Sequence, residues 1–285
     1  MKKRIALHLI IGFCVSILLS TALYSSGNKH FMVVIPSRNN AQWVDRNLGS
    51  LLNQNYPHWH AIYLNDCSDD ETQKKVEQFK KDHRLEDKIL LINNESRLGA
   101  LANMVKAVYM CDAWDVIVTL DGDDWLKGPD VLRKLNEVYA DENIWMTYGS
   151  YEQFPPVKKT PHFSKQMAIP KDVIASNGYR KYQWCSSHLR TFYAWLFKCI
   201  NLEDLKFEGE FFPMAGDLAH IIPLLELSGG KFKFISDILY VYNVQTPHND
   251  HKVNRQLQAK LEKEIRARTP YKPLKDIPAP YLPRC

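Results

Sequence analysis

The sequence predicts an α/β fold with a mainly parallel sheet flanked by helices. Short apolar runs alternate with amphipathic stretches of helical period, polar clusters close several of the runs, and the alternation begins only after one long apolar stretch at the N-terminus. Strands alternating with helices build right-handed βαβ units on a shared parallel sheet. Such sheets take ligands at the carboxyl ends of their strands, so the polar clusters mark the functional edge.

Residues 31–35 form a compact apolar run closed by Pro36, the pattern of a buried strand. Val44, Leu48, Leu51 and Leu52 repeat at helical spacing, and Asn55-Tyr56-Pro57 ends that helix. A second strand is expected at 61–64, then a helix capped by Asp69 or Asp70 with Val76 and Phe79 on one face. Residues 89–92 read as a third strand, and Leu98, Leu101, Ala102, Val105 and Val108 as the inner face of the next helix. The run 116–120 is a fourth strand that passes straight into Asp121-Gly122-Asp123-Asp124. Gly128-Pro129 opens another helix, with proline in its first turn, and 144–148 adds a strand.

Beyond that point the pattern loosens. Residues 155–170 read as a long proline-bounded loop, 217–227 as a helix, and 232–235 and 238–242 as two short strands. Leu257, Leu261 and Ile265 mark an amphipathic helix, followed by an extended proline-rich tail.

The 285 residues, 45% hydrophobic and 24% charged, are enough for one large domain with a substantial core. A net charge of +5 without any dense Lys/Arg stripe argues against nucleic-acid binding. None of the six cysteines stands in a Cys-x-x-Cys pair, which argues against a zinc or redox motif. Lys2, Lys3 and Arg4 precede an apolar run over 5–24, about the length that crosses a bilayer as a helix. A membrane anchor, a cleaved signal peptide and a helix lying on a membrane surface all fit that run; a single-pass anchor is the expectation carried forward. Its leading charges favour a cytosolic N-terminus, while the side of the membrane on which the body lies stays open. The chain then divides into an N-terminal segment (1–28), a catalytic α/β domain (29–250) and a C-terminal helix with its tail (251–285).

Three carboxylates within four residues at the end of an apolar strand repel one another. A divalent cation such as Mn2+ or Mg2+ relieves that repulsion and bridges the oxygens of a diphosphate. An acidic surface turn is the plain alternative, and the neighbouring clusters weigh against it. Val34-Ile35-Pro36-Ser37-Arg38-Asn39, Leu64-Asn65-Asp66-Cys67-Ser68-Asp69-Asp70, Asn94 to Asn103 and Asp121-Gly122-Asp123-Asp124 follow in an order and spacing that resemble the family 2 glycosyltransferases of the GT-A superfamily. The four segments resemble that family's P-x-x-N turn, V-D-D-G-S-x-D turn, N-x-G-x-x-x-A-x-N segment and acidic D-x-D signature. The resemblance covers roughly 31–130 and continues more loosely to about 245. Cys67 stands where the family has glycine, and Asn65 where it has its first aspartate.

The resemblance implies a GT-A-type, Rossmann-like fold and a nucleotide-sugar donor, with UDP expected. It places Pro36, Asn39, Asp66, Arg97, Asn103 and Asp121 on the donor: Asp66 toward the base, Arg97 toward base or diphosphate, Asp121 near the ribose. Asp123 would bind the metal. Inversion at the anomeric carbon needs a base for the acceptor hydroxyl. The family's acidic turn at a helix start is matched by Ala215-Gly216-Asp217-Leu218, with Gly216 replacing the usual glutamate and Asp217 left as the single acid. Asp217 also fits a helix cap. His248 is the candidate for a C-terminal metal ligand. Trp184, His188 and Arg190 are candidates for the acceptor or diphosphate side.

The chain has neither a Gln-x-x-Arg-Trp sequence nor a later bundle of membrane helices, so addition of one sugar is expected, with a glycan, lipid or protein as acceptor. Two other readings compete. A nucleotidylyltransferase would show a Gly-rich basic loop where Pro36-Ser37-Arg38-Asn39 stands. A non-catalytic carbohydrate- or membrane-binding relative would have lost acids that this chain keeps at Asp121, Asp123 and Asp217.

Overall fold

The computed structural model describes residues 27–156, 166–246 and 254–282. The first half follows the expected alternation: β1 (Phe31–Ser37), α1 (Val44–Leu52), β2 (Trp59–Asn65), α2 (Thr72–Asp82), β3 (Ile89–Asn93), α3 (Ala100–Met110) and β4 (Val116–Thr119). There follow β5 (Trp125–Leu126), α4 (Val131–Val138), β6 (Met146–Phe154), α5 (Lys171–Ala175), β7 (Ser187–Tyr193) and α6 (Ala194–Lys198). A short hairpin of β8 (Lys206–Phe207) and β9 (Glu210–Phe211) precedes α7 (Gly216–Ser228), β10 (Phe232–Asn243) and α8 (Arg255–Ala267).

Eight strands form one sheet in the order β3-β2-β1-β4-β7-β6-β10-β5. The expectation of a mainly parallel sheet is corrected to a mixed one. β1, β2, β3 and β4 pair in parallel, as do β6 and β10, but β7 runs antiparallel to both β4 and β6, and β5 antiparallel to β10. The cause is β7, a strand absent from the sequence reading, which inserts between the two parallel blocks. Its residues are buried almost throughout, so the alternation that identifies a half-exposed strand is lacking. The N-terminal apolar segment, expected as a helix, lies outside the described residues, as does His248. Among the described residues no helix is long and apolar enough to cross a membrane.

Other boundaries moved for local reasons. β1 continues through Pro36 to Ser37 because Pro36 needs no N–H here and its carbonyl accepts from Gly122 N at 3.1 Å. The helix expected from Gly128-Pro129 starts at Val131; Gly128 takes φ 84° in the preceding turn. The two short strands expected at 232–242 are one strand, β10, whose register shifts between Ile235 and Ile238 absorb the polar Ser236-Asp237 step. α7 is apolar on every face and almost wholly buried. It packs on α3, α6 and α8, which fixes its N-terminus, and Asp217 with it, against the body of the domain.

Candidate active site

The loops after β1 and β2 lock each other. The Asn39 amide donates to Ser68 Oγ at 2.9 Å, and the Asp69 amide donates to Asn39 Oδ1 at 2.8 Å. Asn39 and Cys67 both take positive φ, 54° and 55°. That explains the glycine at the Cys67 position of the resembling motif, since a side chain there costs about 1–2 kcal/mol.

Asp66 is buried, and its carboxylate is a hub. Oδ1 accepts from Leu98 N at 2.8 Å and Asn94 Nδ2 at 2.9 Å, and Oδ2 from Gly99 N at 2.8 Å. Burial works to raise its pKa, but the hydrogen bonds from Leu98, Asn94 and Gly99 outweigh it and hold the carboxyl below its usual range. Asn103, fully buried, accepts from Asn94 Nδ2 at 2.7 Å and donates to Gly99 O at 3.0 Å. Asp66 and Asn103 together therefore shape the 94–99 loop, leaving further lone pairs on the carboxylate for a ligand. Arg97, at the crest of that loop, is exposed. Lys106, which the sequence reading missed, reaches the same loop through Asn94 Oδ1 at 2.9 Å.

The acidic turn divides its labour. Asp124 is buried and spends both oxygens on the fold: Oδ2 accepts from Tyr240 OH at 2.6 Å and Oδ1 from Asn243 N at 2.7 Å. Burial, reinforced by Asp123 and Asp121, pushes its pKa well above the usual carboxylate range. Asp121 and Asp123 are half-buried. Asn47 of α1 donates to the carbonyls of Asp121 at 2.9 Å and Asp124 at 2.7 Å, and Asn243 Nδ2 to the carbonyl of Asp123 at 3.1 Å. Thr246 Oγ1 donates to Asp123 Oδ2. Asn47, Tyr240, Asn243 and Thr246 were not identifiable beforehand, because their partners lie about 75 to 125 residues away in the chain.

Hard carboxylate oxygens suit Mn2+ or Mg2+, which a nucleotide diphosphate would ligate as well. Asp121 and Asp123 fit that donor set; Asp124, committed to Tyr240 and Asn243, does not. Among the described residues no group of three or more His, Cys, Asp or Glu could hold a metal.

Gly122 is fixed by space. A Cβ built there would lie 2.2 Å from Ser37 Oγ, which itself accepts from Tyr63 OH at 2.8 Å and Asn40 Nδ2 at 3.1 Å. Gly122→Ala is expected to destabilise the domain by about 1–3 kcal/mol through overpacking. Urea unfolding checks it, and an unchanged midpoint would mean that the turn can shift.

Asp217 opens α7 after Ala215, which takes φ 55°. Its Oδ1 accepts from Leu218 N at 2.9 Å and its Oδ2 from Arg190 Nη2 at 3.1 Å. The Asp217 side chain is 36% exposed while that of Arg190 is 7% exposed, so the carboxylate faces solvent and the cation lies behind it. Arg190 is further held by Ser186 O at 2.9 Å and by the face of Trp184, 5.6 Å from the ring centre. Gly216, in place of the expected glutamate, has room for no side chain without displacing Leu101: a Cβ would lie 3.1 Å from Leu101 Cβ. His188 stacks on Tyr240 at 4.5 Å and on Tyr242 at 5.6 Å between ring centres. The structure thus joins Trp184, Arg190 and Asp217 in one contact chain, while His188, two residues from Arg190 on β7, is linked to the acidic turn through Tyr240. A cavity of about 400 Å³ beside that turn is lined by Arg46, Trp125, Glu152 and Phe154 among others. Its lining does not include Asp121, Asp123 or Asp217.

A mixed α/β sheet with an acidic turn after its fourth strand defines a GT-A-like fold. Residues 32–204 match the Glycosyl transferase family 2 model, more than half of the chain, and the chain belongs to that family. It is 29% identical over 120 residues to TuaG of Bacillus subtilis, assigned as a teichuronic acid biosynthesis glycosyltransferase; the match covers 42% of this chain and 45% of TuaG. It is also 29% identical over 121 residues to the Escherichia coli UDP-Glc:alpha-D-GlcNAc-diphosphoundecaprenol beta-1,3-glucosyltransferase WfgD, covering 42% of this chain and 45% of WfgD. The chain thus spans less than half the length of these relatives. Among solved structures, S. aureus TarS 1-349 in complex with UDP-GlcNAc superposes with a TM-score of 0.55 at 17% identity, over 76% of this chain and 59% of that one. The mannosyltransferase PcManGT from Pyrobaculum calidifontis, in complex with GDP-Man and Mn2+, gives 0.55 at 16% identity over 93% of this chain and 77% of that one. At these identities the structural likeness establishes the fold.

Proposed function

We propose that the chain is an inverting, metal-dependent glycosyltransferase that moves a single sugar from a UDP-sugar to an acceptor hydroxyl. The observation that carries the reading is the division of labour in the acidic turn, where Asp124 is consumed by the fold while Asp121 and Asp123 stand half-buried at the carboxyl edge.

In this reading Asp66 and Arg97 hold the uracil end of the donor, from the loop after β2 that Asn39 locks beside Pro36 and the loop after β3 that Asn103 shapes, and Asp121 meets the ribose. Asp123, with His248, would hold Mn2+ or Mg2+, which supplies charge neutralisation for the departing diphosphate. Asp217 accepts the acceptor's hydroxyl proton as that oxygen forms its bond to the anomeric carbon. The bond to the diphosphate oxygen breaks on the opposite face, UDP leaves with the electron pair, and the configuration inverts. Arg190 holds Asp217 in place, and Trp184 and His188 flank the acceptor. UDP as the nucleotide, and a glycan or lipid-linked glycan as acceptor, are supported by the names of WfgD and of the TarS complex. The N-terminal segment would tether the protein to a membrane.

The test is UDP release from a panel of sugar nucleotides, with and without manganese, comparing the natural chain with Asp123→Ala. Release from one donor is expected to require manganese and to fall by about 100-fold or more in the variant, the scale of several kcal/mol of charge stabilisation. Equal turnover in Asp123→Ala would reject the metal role, and absence of binding to any nucleotide would favour a non-catalytic member of the fold.

A further inference from the structure

We propose that Tyr151, Gln153, His188 and Tyr242 form the surface that reads the transferred sugar, and that this surface selects a neutral pyranose over a uronate. The inference rests on the reading of the acidic turn and of Asp217 given above. It goes further by naming the chemical class of the donor sugar and the side chains that choose it.

Position comes first. Tyr240 joins the acidic turn to the His188 ring through its 2.6 Å hydrogen bond to Asp124 and its 4.5 Å stacking contact. Tyr151 and Tyr242 pack on the same imidazole at 5.9 and 5.6 Å, and Gln153 is the register partner of Tyr242 across β6 and β10. Arg190, two residues beyond His188 on β7, holds Asp217 at 3.1 Å. The cluster is therefore tied on one side to the turn proposed to take the diphosphate and, along β7, to the Arg190–Asp217 pair proposed to take the acceptor's proton. In-line displacement requires the transferred ring to lie between that turn and Asp217.

The chemistry of the cluster comes second. His188 Nδ1 and Gln153 Oε1 are buried without any hydrogen-bond partner among the described residues. The hydroxyls of Tyr151 and Tyr242 make no hydrogen bond to described residues either. An unpaired buried polar atom costs about 1–3 kcal/mol, a cost that a ligand hydroxyl or acetamido group removes. The aromatic rings offer apolar area for the C–H face of a sugar. Among the described residues no lysine or arginine bonds to or stacks on any of the four. Burial, then the charge of Arg190, keeps the His188 pKa well below its ordinary value, so the imidazole is neutral. Arg190 itself is committed to Asp217 and to Ser186 O. A uronate carboxylate would find beside this cluster only Arg190, already paired with Asp217, and would lie next to an acidic turn, whereas neutral hydroxyls meet both donors and acceptors.

The experiment uses the full-length chain carrying Asp217→Asn, so that donors bind without turning over. UDP, UDP-glucose, UDP-galactose, UDP-N-acetylglucosamine and UDP-glucuronate are titrated calorimetrically with manganese present. At least one neutral donor is expected to bind about tenfold or more tighter than UDP-glucuronate, the discrimination available when a site built for hydroxyl contacts loses them. Tyr242→Phe and Gln153→Leu, added singly, are expected to shrink that ratio while leaving the affinity for UDP unchanged. UDP-glucuronate binding as tightly as every neutral donor overturns the inference, and so does a ratio that neither variant alters. Failure of UDP itself to bind is a different result: it overturns the reading of the nucleotide site, and this inference with it.

Discussion

Asp217→Asn is expected to lower glycosyl transfer by about 100- to 10,000-fold, the range for removal of a general base, with the affinity for the sugar nucleotide retained. Asparagine keeps the shape of the side chain, but its single carbonyl oxygen can replace only one of the two acceptors, Oδ2 toward Arg190 or Oδ1 toward the Leu218 amide. What it lacks is the lone pair and charge needed to take a proton. The groups proposed to hold the donor, Asp66, Arg97, Asp121 and Asp123, come from the loops after β2, β3 and β4, not from α7, so donor binding should be insulated from the change. A combined assay reads both quantities: calorimetric titration of UDP-sugar for binding, and product formation with acceptor for turnover. Retained turnover would reduce Asp217 to a cap of α7. Loss of donor affinity together with turnover would mean that the substitution disturbs the fold of the cleft.

The comparison of expectation with structure turns on the range of the interactions. The βαβ half was legible because each element announces itself locally. The run before Pro36 is buried on both faces, and Val76 and Phe79 do face the core as their spacing required. The acidic turn stood out as a candidate site because three carboxylates end an apolar strand among three further polar clusters in family order. That Asp124 is the structural member of the three was not legible, since its partners Tyr240 and Asn243 come from β10. The same limit applies to β7. Ser187–Tyr193 gives no alternating pattern because both faces are covered, and its antiparallel placement is decided by β4 and β6, distant in sequence. Arg190 was singled out for its charge beside aromatic residues, but its pairing with Asp217 needed β7 and α7 in place.

The largest stability effect is expected from Arg180, on a short helical turn that the sequence reading passed over. The guanidinium is buried and donates to Glu226 Oε1 at 2.6 Å, to Glu226 Oε2 at 2.8 Å and to the carbonyl of Ile265 at 2.5 Å. Glu226 is fully buried within α7 and also accepts from Tyr271 N at 3.0 Å. One side chain thereby ties the segment before β7, the central helix α7, and α8. Arg266 completes the tie by donating to the carbonyls of Arg180 and Tyr182 at 3.0 and 2.8 Å. Burial pushes the Glu226 carboxyl up and the Arg180 guanidinium pulls it back. Removing the cation alone therefore leaves a buried acid without its countercharge. Arg180→Ala is expected to cost about 3–5 kcal/mol, the range for breaking a buried ion pair by removing one partner. Replacing both residues, as Arg180→Met with Glu226→Leu, removes the two desolvation penalties together, so it should recover most of that loss. Urea unfolding of the two variants beside the natural chain separates the cases. If Arg180→Ala unfolds at the natural midpoint, the C-terminal helix is held by Leu261, Ile265 and the Arg266 contacts to the Arg180 and Tyr182 carbonyls. If the double replacement is no better than the single one, the pair contributes through the Ile265 carbonyl and Tyr271 contacts rather than through charge. Since α7 carries Asp217, a loosened α7 should also lower turnover in Arg180→Ala, and restored stability in the double variant should bring that activity back.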